Sequence, residues 1–209
     1  MTKQNNHESN IRIGTATGSK GKSRVSEIIE MATQILVEDG YSEFTIRNIA
    51  AKANMKHGNL QYYFATKQDL IRAILDEEFK RYQLTLKGRL SSVKYSNEQK
   101  LKLSIGYLLK DQEKQRSCVI FWEMWALSSH DSDAAKIMEE YYQVYLDSVK
   151  NLVLSLRPEI KMQKAAKLSV LIVSMIEGLS LFRGYNKPKK SYLIGIESEL
   201  RNAIIKLIS

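Results

Sequence analysis

Residues 16–23, A-T-G-S-K-G-K-S, combine the residue types that bind phosphate. In a phosphate-binding loop, the backbone N–H groups beside the glycines surround the phosphates, while the Lys and the Ser contact phosphate oxygens and Mg²⁺. This chemistry requires a parallel strand before the loop and a helix after it. The segment upstream, Ile11-Arg12-Ile13, is too short and too polar for a buried strand. A P-loop nucleotide-binding hydrolase is therefore the alternative to a simpler interpretation, a flexible basic arm over residues 1–21.

Residues 44–70 carry hydrogen-bond donors at spacings that suit a nucleic acid. The apolar positions predict two short helices, one over Thr45–Lys52 and one that ends at Tyr63 or Phe64, joined by a tight turn near Ala53–Lys56. Donors at the N-terminal end of a helix suit DNA phosphates and the base edges of a major groove. The side chains that we expect to face outward are Thr45, Arg47, Lys56, His57, Asn59, Gln61, Tyr62 and Lys67.

The composition agrees with an anionic partner and argues against several classes of protein. The chain has 209 residues and a net charge of +9, which favours nucleic acid as the partner. Its single cysteine, Cys118, has no partner for an intrachain disulfide, and His7, His57 and His130 lack ligand spacing, so we expect neither a metal nor a cofactor. The sequence shows no secretory signal and no apolar run of the roughly 20 residues that span a bilayer. These features predict a cytoplasmic protein without a membrane partner.

The spacing of apolar residues is helical along nearly the whole chain from residue 25, which predicts an all-α fold of about nine helices and no sheet. We expect Ser23 to cap the first helix and Gly40 to end it. The segments Thr66–Asp69 and Ser96–Gln99 have the pattern of a capping box and predict the starts of two further helices. The remaining helices are expected near residues 116–128, 132–156, 160–184 and 191–208.

The N-terminal part of the chain carries motifs of a known family. They are Glu38-Asp39-Gly40-Tyr41, Phe44-Thr45-Ile46-Arg47-Asn48-Ile49-Ala50 and Gly58-Asn59-Leu60-Gln61-Tyr62-Tyr63-Phe64, followed by Lys67 and Leu70. With these motifs, residues 22–81 resemble the tetracycline-repressor (TetR-like) family of bacterial transcription regulators. The resemblance implies a three-helix DNA-binding domain over residues 22–81, with its helix-turn-helix at about 45–64. It also implies a helical ligand-sensing and dimerisation domain over residues 82–209.

The resemblance also implies roles for single residues. Thr45 and Arg47 correspond to groups that position phosphates at the start of the second helix, and Tyr63 and Lys67 correspond to a phosphate clamp. Gly58 allows a close approach of the backbone to DNA. The expected base-edge readers of the third helix are Lys56, His57, Asn59 and Gln61, with Tyr62 on the same surface. The apolar residues Ile46, Ile49, Ala50, Leu60 and Phe64 are expected to pack the motif onto its neighbours.

Two positions depart from the family pattern. Lys56 stands where the family usually has a Ser or Thr that caps the third helix, so the cap is either absent or supplied by Asn54. Gln61 stands where an aromatic residue is usual. Gln61 could therefore read adenine instead of contacting a phosphate.

The C-terminal half matches the family only in outline, and its apolar pattern supports a dimer. The helix near 160–184 is apolar on more than one face, so one neighbouring helix cannot cover it. The last helix presents an apolar stripe of Leu193, Leu200, Ile204 and Leu207. We expect these two helices to form a four-helix interface with a two-fold related copy, as a palindromic operator in double-stranded DNA requires.

Aromatic residues are concentrated in the C-terminal half and suggest a binding pocket. The candidate ligand-binding residues are Tyr107, Phe121, Trp122, Trp125 and Tyr145, with Tyr141 and Tyr142 nearby. In this interpretation Glu123 or a ring face meets a cationic ligand. Ordinary core packing is the alternative for each ring, and Cys118 is expected to be a small buried apolar residue.

The sequence thus predicts a DNA-binding regulator and not an enzyme. The leading hypothesis is a ligand-responsive homodimeric repressor that binds a small-molecule effector. The alternatives are the P-loop hydrolase and a helix-turn-helix DNA-binding factor without a ligand. Lys20, Lys22 and Arg24 of the basic N-terminal segment could contact phosphates or a minor groove.

Overall fold

The computed structural model of the protein describes residues 19–91 and 95–208, which form two compact units. The first unit ends at Glu77 and the second begins at Glu78. The helices are α1 (Ser19–Glu38), α2 (Ile46–Lys52), α3 (His57–Tyr63), α4 (Lys67–Ser91), α5 (Asn97–Asp111), α6 (Gln115–Ser128), α7 (Ser132–Leu156), α8 (Met162–Arg183) and α9 (Ile196–Ile208). Across the described ranges all regular structure is helical, which confirms the predicted all-α fold of about nine helices.

The core of the first unit is formed by the apolar faces that the sequence predicts. The buried residues of α1 recur at helical spacing: Ile28, Ile29, Ala32, Ile35 and Leu36. The short helices α2 and α3 are too small to bury much surface by themselves, so they depend on α1 and on the start of α4. Phe44, Leu60 and Phe64 are buried almost completely and hold α3 in place.

The start of α1 differs from the prediction. The helix begins at Ser19, so Ser23 lies inside it and is not its N-cap. Of the predicted arm, residues 1–18 lie outside the described residues, whereas Ser19–Gly21 belong to the helix. A single glycine costs a helix only about 1 kcal/mol relative to alanine, and Gly21 is flanked by lysines that favour helix. Gly21 is therefore not enough to keep the segment extended.

Three other predicted helix boundaries are confirmed. Gly40 adopts a φ of 82° directly after α1, the left-handed conformation that favours glycine. Thr66 and Asp69 bond reciprocally at the start of α4, because the Asp69 N–H donates to Thr66 Oγ1 (3.1 Å) and the Thr66 N–H donates to Asp69 Oδ2 (2.9 Å). Ser96 and Gln99 form the same capping box at the start of α5.

The second unit is organised around α8. One face of α8 packs into a core that also includes residues of α5, α7 and α9. The buried members of this core are Leu101, Ile105, Leu109, Val153, Ala165, Leu168, Ile172, Ile176, Ile204 and Ile208. The helices on both sides of α8 are therefore fixed in place by its buried face.

We predicted one helix over residues 191–208, and this prediction is wrong. A single 3₁₀ turn covers Ser191–Leu193, and α9 begins only at Ile196. Between them Gly195 has a φ of 80°, a conformation that a continuous helix cannot contain. Ile204, which we expected on an interface stripe, is fully buried within the chain.

Among the described helices, α8 is long and apolar enough to cross a bilayer, judged by length and composition alone. The high apolar content of α8 is explained without a membrane, because two opposite faces of this helix are apolar. One face lies in the core, and the opposite face is exposed and carries Val170, Leu171, Leu181 and Phe182. Here we call this second face the exposed α8 face.

Candidate DNA-binding surface and ligand cavity

The first unit presents α3 with its polar side outward. Leu60 is buried completely and Phe64 almost so, which orients the remaining positions of α3 toward solvent. The turn before α3 is closed by two backbone bonds, from Asn54 N to Ala51 O (3.0 Å) and from Met55 N to Ala50 O (2.9 Å). The residues exposed on or next to α3 are Lys56, His57, Gly58, Asn59, Gln61 and Tyr62. All of these were predicted to contact DNA, and the structure brings them onto one surface.

The cap of α3 is absent, which is one of the two possibilities left open by the sequence. Lys56 occupies the N-cap position and makes no side-chain cap bond. Asn54 does not replace it, because it adopts a φ of 48° in the turn instead. Asparagine tolerates this left-handed conformation better than most residues. The N-terminal N–H groups of α3 therefore receive no side-chain acceptor from either residue.

The two residues predicted to position phosphates at α2 have different surroundings. Thr45 is the N-cap of α2, and its Oγ1 accepts a bond from Asn48 N (3.1 Å). The hydroxyl proton of Thr45 can still be donated to a phosphate. Arg47 is exposed on the first turn of α2.

The predicted phosphate clamp is partly engaged within the protein. The Lys67 ammonium lies 3.4 Å from the centroid of the Tyr41 ring and 3.5 Å from Tyr41 O. A cation over an aromatic face gains roughly 0.5–1 kcal/mol at an exposed site. Tyr63 is half-buried and packs edge-on against Tyr62, with ring centroids 5.4 Å apart. A phosphate contact by Lys67 would therefore compete with the Tyr41 ring.

A polar groove of the first unit runs beside α3 and includes a residue of the basic N-terminal segment that we expected to contact phosphates or a minor groove. The residue is Arg24, whose Nη2 donates to Ala53 O (2.9 Å) at the end of α2. The groove is lined by Arg24, Asn54, Met55, Lys56, Asn59, Tyr62 and Tyr63. The position of Arg24 within α1 is what brings this side chain next to α3.

Gly58 provides a test of how closely DNA approaches α3. A Cβ atom at Gly58 would meet no atom of the protein within 4 Å. We therefore expect Gly58→Ala to fold normally and to raise the free energy of unfolding by up to about 1 kcal/mol, because alanine favours helix. If the DNA backbone approaches closely, the added methyl group should still weaken DNA binding, which fluorescence anisotropy with labelled DNA measures.

The matched control for this variant is Gly88→Ala. Gly88 lies within α4 of the second unit and also has open space where a Cβ would be. This variant should gain similar stability without changing DNA affinity. Unchanged DNA affinity in Gly58→Ala would show that no close contact occurs at that position.

The second unit contains a cavity of about 250 Å³. It is lined by Phe79, Tyr82, Gln83, Leu86, Ser104, Leu108, Gln112, Ser117, Cys118, Phe121, Trp122, Trp125, Tyr141, Tyr145, Ser148, Val149, Leu152, Glu177 and Ser180. Four of the five residues predicted to bind a ligand, Phe121, Trp122, Trp125 and Tyr145, lie on its wall. The fifth, Tyr107, is buried behind Tyr82, with their ring centroids 6.0 Å apart, and does not line the cavity.

The acidic residue of the cavity is Glu177 and not Glu123, the acid that the sequence analysis considered. Glu177 lies in the apolar part of α8 and is the only charged residue among those that line the cavity. Its carboxylate makes no hydrogen bond or ion pair with the described residues. Burial raises the pKa of Glu177 to about 7, and no neighbouring charge or hydrogen bond lowers it again. The signal available in the sequence was this single acid in an apolar helix.

Two other polar atoms of the cavity residues are buried without a partner, the Gln112 Oε1 and the Tyr145 hydroxyl. Buried polar atoms in folded proteins are normally hydrogen-bonded, and each exception costs roughly 1–3 kcal/mol. By contrast, Trp125 Nε1 donates to the Tyr142 hydroxyl (2.7 Å), which fixes the orientation of the indole ring. The cavity therefore has an aromatic wall whose Trp125 ring is fixed, together with two buried polar atoms that lack a hydrogen-bond partner.

Cys118 is a buried residue, as predicted. Its thiol donates to Gln112 O (2.7 Å), and Tyr185 N donates to the sulfur (3.3 Å). Burial raises the pKa of the Cys118 thiol. Over residues 19–91 and 95–208, no group of three or more His, Cys, Asp or Glu residues is arranged to hold a metal ion.

A buried polar network lies next to the cavity. Asp111, at the end of α5, is 1% exposed. Its carboxylate accepts bonds from four donors: Tyr82 (2.5 Å), Ser117 (2.5 Å), Lys114 (2.6 Å) and Arg81 (3.4 Å). Tyr82 and Ser117 also line the cavity, so the network connects the cavity wall to the α4 residue Arg81. Arg81 in turn pairs with the buried Glu78, which also accepts a bond from Arg116 (2.6 Å).

Two family profiles match the chain in the regions that hold the surface and the cavity. The profile "Bacterial regulatory proteins, tetR family" matches residues 28–74. The profile "BetI-type transcriptional repressor, C-terminal" matches residues 98–190.

Individual proteins are also similar to the chain. The "HTH-type transcriptional regulator in dhlA 5′ region" of Xanthobacter autotrophicus is 28% identical over 167 residues, which cover 78% of this chain and 81% of that protein. The "HTH-type transcriptional regulator BetI" of Escherichia coli is 24% identical over 160 residues, 76% of this chain and 80% of that protein. A transcriptional regulator from Saccharomonospora viridis, solved in complex with choline, has the same fold. Its TM-score is 0.63 at 15% identity, over 90% of this chain and 96% of that one.

Proposed function

The chain belongs to the TetR family of bacterial regulatory proteins and is a DNA-binding transcriptional regulator, and we propose that it is a homodimeric repressor released from DNA by a small molecule. The observation that supports DNA reading most directly is the outward polar surface of α3, held by the buried Leu60 and Phe64. In this proposal α3 lies in the major groove, and α2 contacts phosphates through Thr45 and Arg47. As a DNA-binding protein of this family, it acts in the cytoplasm.

The proposed operator is palindromic, because a two-fold dimer places two copies of α3 on equivalent half-sites. Selection of binding sites from random double-stranded DNA tests this. The expected result is a two-fold symmetric sequence with half-sites separated by a whole number of helical turns. A single asymmetric half-site, or no enrichment at all, would contradict the proposal.

Asn59 of α3 and Arg47 of α2 distinguish base reading from phosphate contact. Asn59→Ala should cost about 1–3 kcal/mol at one base pair of each half-site and leave non-specific binding nearly unchanged. Arg47→Ala should weaken binding to all sequences about equally and lower the slope of log affinity against log salt by about one unit. Binding isotherms at several salt concentrations, with operator and scrambled DNA, measure both effects. Uniform weakening by Asn59→Ala would mean that Asn59 contacts the backbone.

We assign the dimer contact to the exposed α8 face. A soluble monomer rarely exposes so many large apolar residues together, and Phe182 is 61% exposed. Ser174 and Gly178 lie on the same side of α8, and such small residues allow two helices to approach closely. Phe182→Arg should shift the protein from dimer to monomer in sedimentation velocity. Leu103→Arg, which changes an exposed leucine on α5, is the control and should leave the dimer intact.

We place the effector in the cavity of the second unit, which has the aromatic wall and the few polar groups of a small-molecule site. An effector releases DNA only to the extent that it binds the DNA-incompetent arrangement more tightly. The choline complex of the Saccharomonospora viridis protein supports the view that this fold can hold a small organic molecule. A ligand-independent regulator, the second candidate, would keep its DNA affinity whatever the cavity contains.

The nucleotide-hydrolase alternative receives no support. Residues 19–23 of the glycine-rich stretch lie in α1, and the described ranges hold no strand that could precede a phosphate loop. Proteins of this family are transcriptional regulators, which are generally not enzymes. Tight binding of a nucleotide with Mg²⁺, lost in Lys22→Ala, would be needed to restore this alternative.

A further inference from the structure

We propose that the cavity of the second unit selects a small protonated amine, with the Glu177 carboxylate as counter-ion and Gln112 Oε1 as a second acceptor for the N–H groups of the ligand. The proposal rests on the effector site proposed above and names the chemical class of its ligand. It combines three features of the cavity: an unpaired charge, unmet acceptors and an aromatic wall.

The charge of the cavity comes from Glu177 alone. The residues that line the cavity include no Lys, Arg or His, so the wall supplies no counter-ion. The Lys187 ammonium lies 4.6 Å from the centroid of the Trp122 ring, but it forms no ion pair with Glu177 in the described part of the chain. An ionised carboxylate in such a place is expensive without a partner, and a cationic ligand would supply one.

The acceptors favour a ligand that carries N–H groups. Gln112 Nε2 donates to Ile176 O (2.9 Å), and this bond fixes the amide, because reversing it would place two oxygen atoms against each other. The Oε1 is therefore left as an acceptor, and it is buried without a donor. Since Ile176 directly precedes Glu177, the Gln112 amide is attached to the same turn of α8. The Tyr145 hydroxyl is a third unmet group and can either accept or donate.

The aromatic wall favours a cation over a neutral molecule of the same shape. The rings of Phe121 and Tyr141 lie 5.1 Å apart, and Trp122 and Trp125 face the same cavity. Aromatic faces attract cations, and the attraction is stronger when water is excluded. The volume of about 250 Å³ lies below the roughly 300–1,000 Å³ of drug-sized sites, so the ligand must be small.

These features rank four kinds of ligand. A neutral alcohol would leave Glu177 without a counter-ion. A quaternary ammonium ion would meet the charge and the rings but has no N–H group for Gln112 Oε1. A protonated primary amine meets all three requirements and should bind most tightly, whereas an anion would be repelled by Glu177.

Three matched probes test this order: 3-phenylpropylamine, trimethyl(3-phenylpropyl)ammonium and 3-phenylpropan-1-ol. Trp122 and Trp125 are the only tryptophans of the chain and both line the cavity, so quenching of their fluorescence reports binding to the full-length protein. At pH 8 we expect the amine to bind at least about tenfold more tightly than the quaternary ion, because only the amine can donate a charge-assisted hydrogen bond to Gln112 Oε1. The alcohol should bind more weakly than both cations.

Two variants and one control variant identify the side chains responsible for the preference for the amine. Glu177→Gln keeps the shape of the side chain and should remove the preference for the amine over the alcohol. Glu123→Gln changes an acid of α6 that does not line the cavity, and it should leave all three affinities unchanged. Gln112→Met should reduce the preference for the amine over the quaternary ion while keeping the preference of both cations over the alcohol.

Several outcomes would overturn the proposal. They are equal binding of amine and alcohol, equal binding of amine and quaternary ion, a preference for the amine over the alcohol that survives Glu177→Gln, or no quenching by any probe at millimolar concentration.

Measuring DNA release with the same probes separates this proposal from the proposed function. Release of DNA by the alcohol or by the quaternary ion alone would support the cavity as the effector site and contradict its selectivity for an amine. Binding of the amine without release of DNA would support the selectivity for an amine and contradict the effector role of the cavity.

Discussion

Replacing Asp111 with alanine should lower the free energy of unfolding of the second unit by about 2–6 kcal/mol, because the enclosed hydroxyls of Tyr82 and Ser117 each lose an acceptor at about 1–3 kcal/mol. The carboxylate is almost completely buried and accepts bonds from Tyr82, Ser117, Lys114 and Arg81. Its loss leaves Tyr82, Ser117 and Lys114 without this acceptor, whereas Arg81 keeps its pair with Glu78. Urea unfolding followed by tryptophan fluorescence measures the change, since both tryptophans belong to the second unit.

Asp147→Ala is the matched control for this variant. Asp147 pairs with Lys150 three residues later, just as Asp111 pairs with Lys114, but its side chain is 44% exposed. Exposed ion pairs contribute about 0–1 kcal/mol. Equal losses in the two variants would show that burial of the Asp111 network does not matter.

The same network should make stability depend on pH in the acid range. Burial by itself would raise the pKa of Asp111, but its hydrogen-bond donors outweigh burial and lower the pKa to about 2. Because this pKa is below the ordinary value, Asp111 contributes stability above about pH 4, and that contribution is lost as the pH falls toward 2. The difference in stability between the protein and Asp111→Ala should therefore shrink below pH 4.

The affinity for 3-phenylpropylamine should fall about 100-fold between pH 8 and pH 5. With a pKa of about 7, Glu177 is mostly ionised at pH 8 and about 1% ionised at pH 5. The amine itself stays protonated over this range, so only the counter-ion changes. Titrations at half-unit intervals should show affinity rising with pH and levelling above pH 7.

No other group that faces Glu177 should titrate between pH 5 and pH 8. Tyr82 of α4, Cys118 of α6 and Tyr141, Tyr142 and Tyr145 of α7 all interact with Glu177 or line the same cavity. Burial raises the pKa of each, so all remain neutral over this range. The pH dependence should accordingly vanish in Glu177→Gln. An affinity for the amine that is the same at pH 5 and pH 8 would contradict the assignment of Glu177.

Without a ligand, Glu177 should affect stability in the opposite direction from Asp111. Its pKa in the folded protein is raised above the ordinary value near 4.5. The ligand-free protein should therefore lose stability as the pH rises from about 4.5 through 7, because ionisation becomes costly in the cavity. A bound amine should remove this loss, since it stabilises the ionised carboxylate.

The sequence determined the features that depend on local spacing. The apolar positions of α1, the glycine after it and the capping boxes at Thr66 and Ser96 follow from contacts between residues three or four apart. Ser23 and Gly195 show the limit of such patterns. Ser23 had the side chain of a cap, but nothing before it excluded a helix. Gly195 interrupts a segment whose apolar residues predicted one continuous helix, so α9 begins only at Ile196.

Only the tertiary structure decided which groups meet in the cavity. Glu177 of α8, Tyr145 of α7 and Gln112 after α5 are separated by 32 to 65 positions along the chain, and nothing in their own segments shows that they meet. Helical spacing predicts which face of one helix is apolar, but it carries no information about which helices pack together. Packing around α8 places Glu177 in the cavity and leaves Glu123 outside it. The sequence could therefore indicate an aromatic pocket, whereas its charge followed only from the fold.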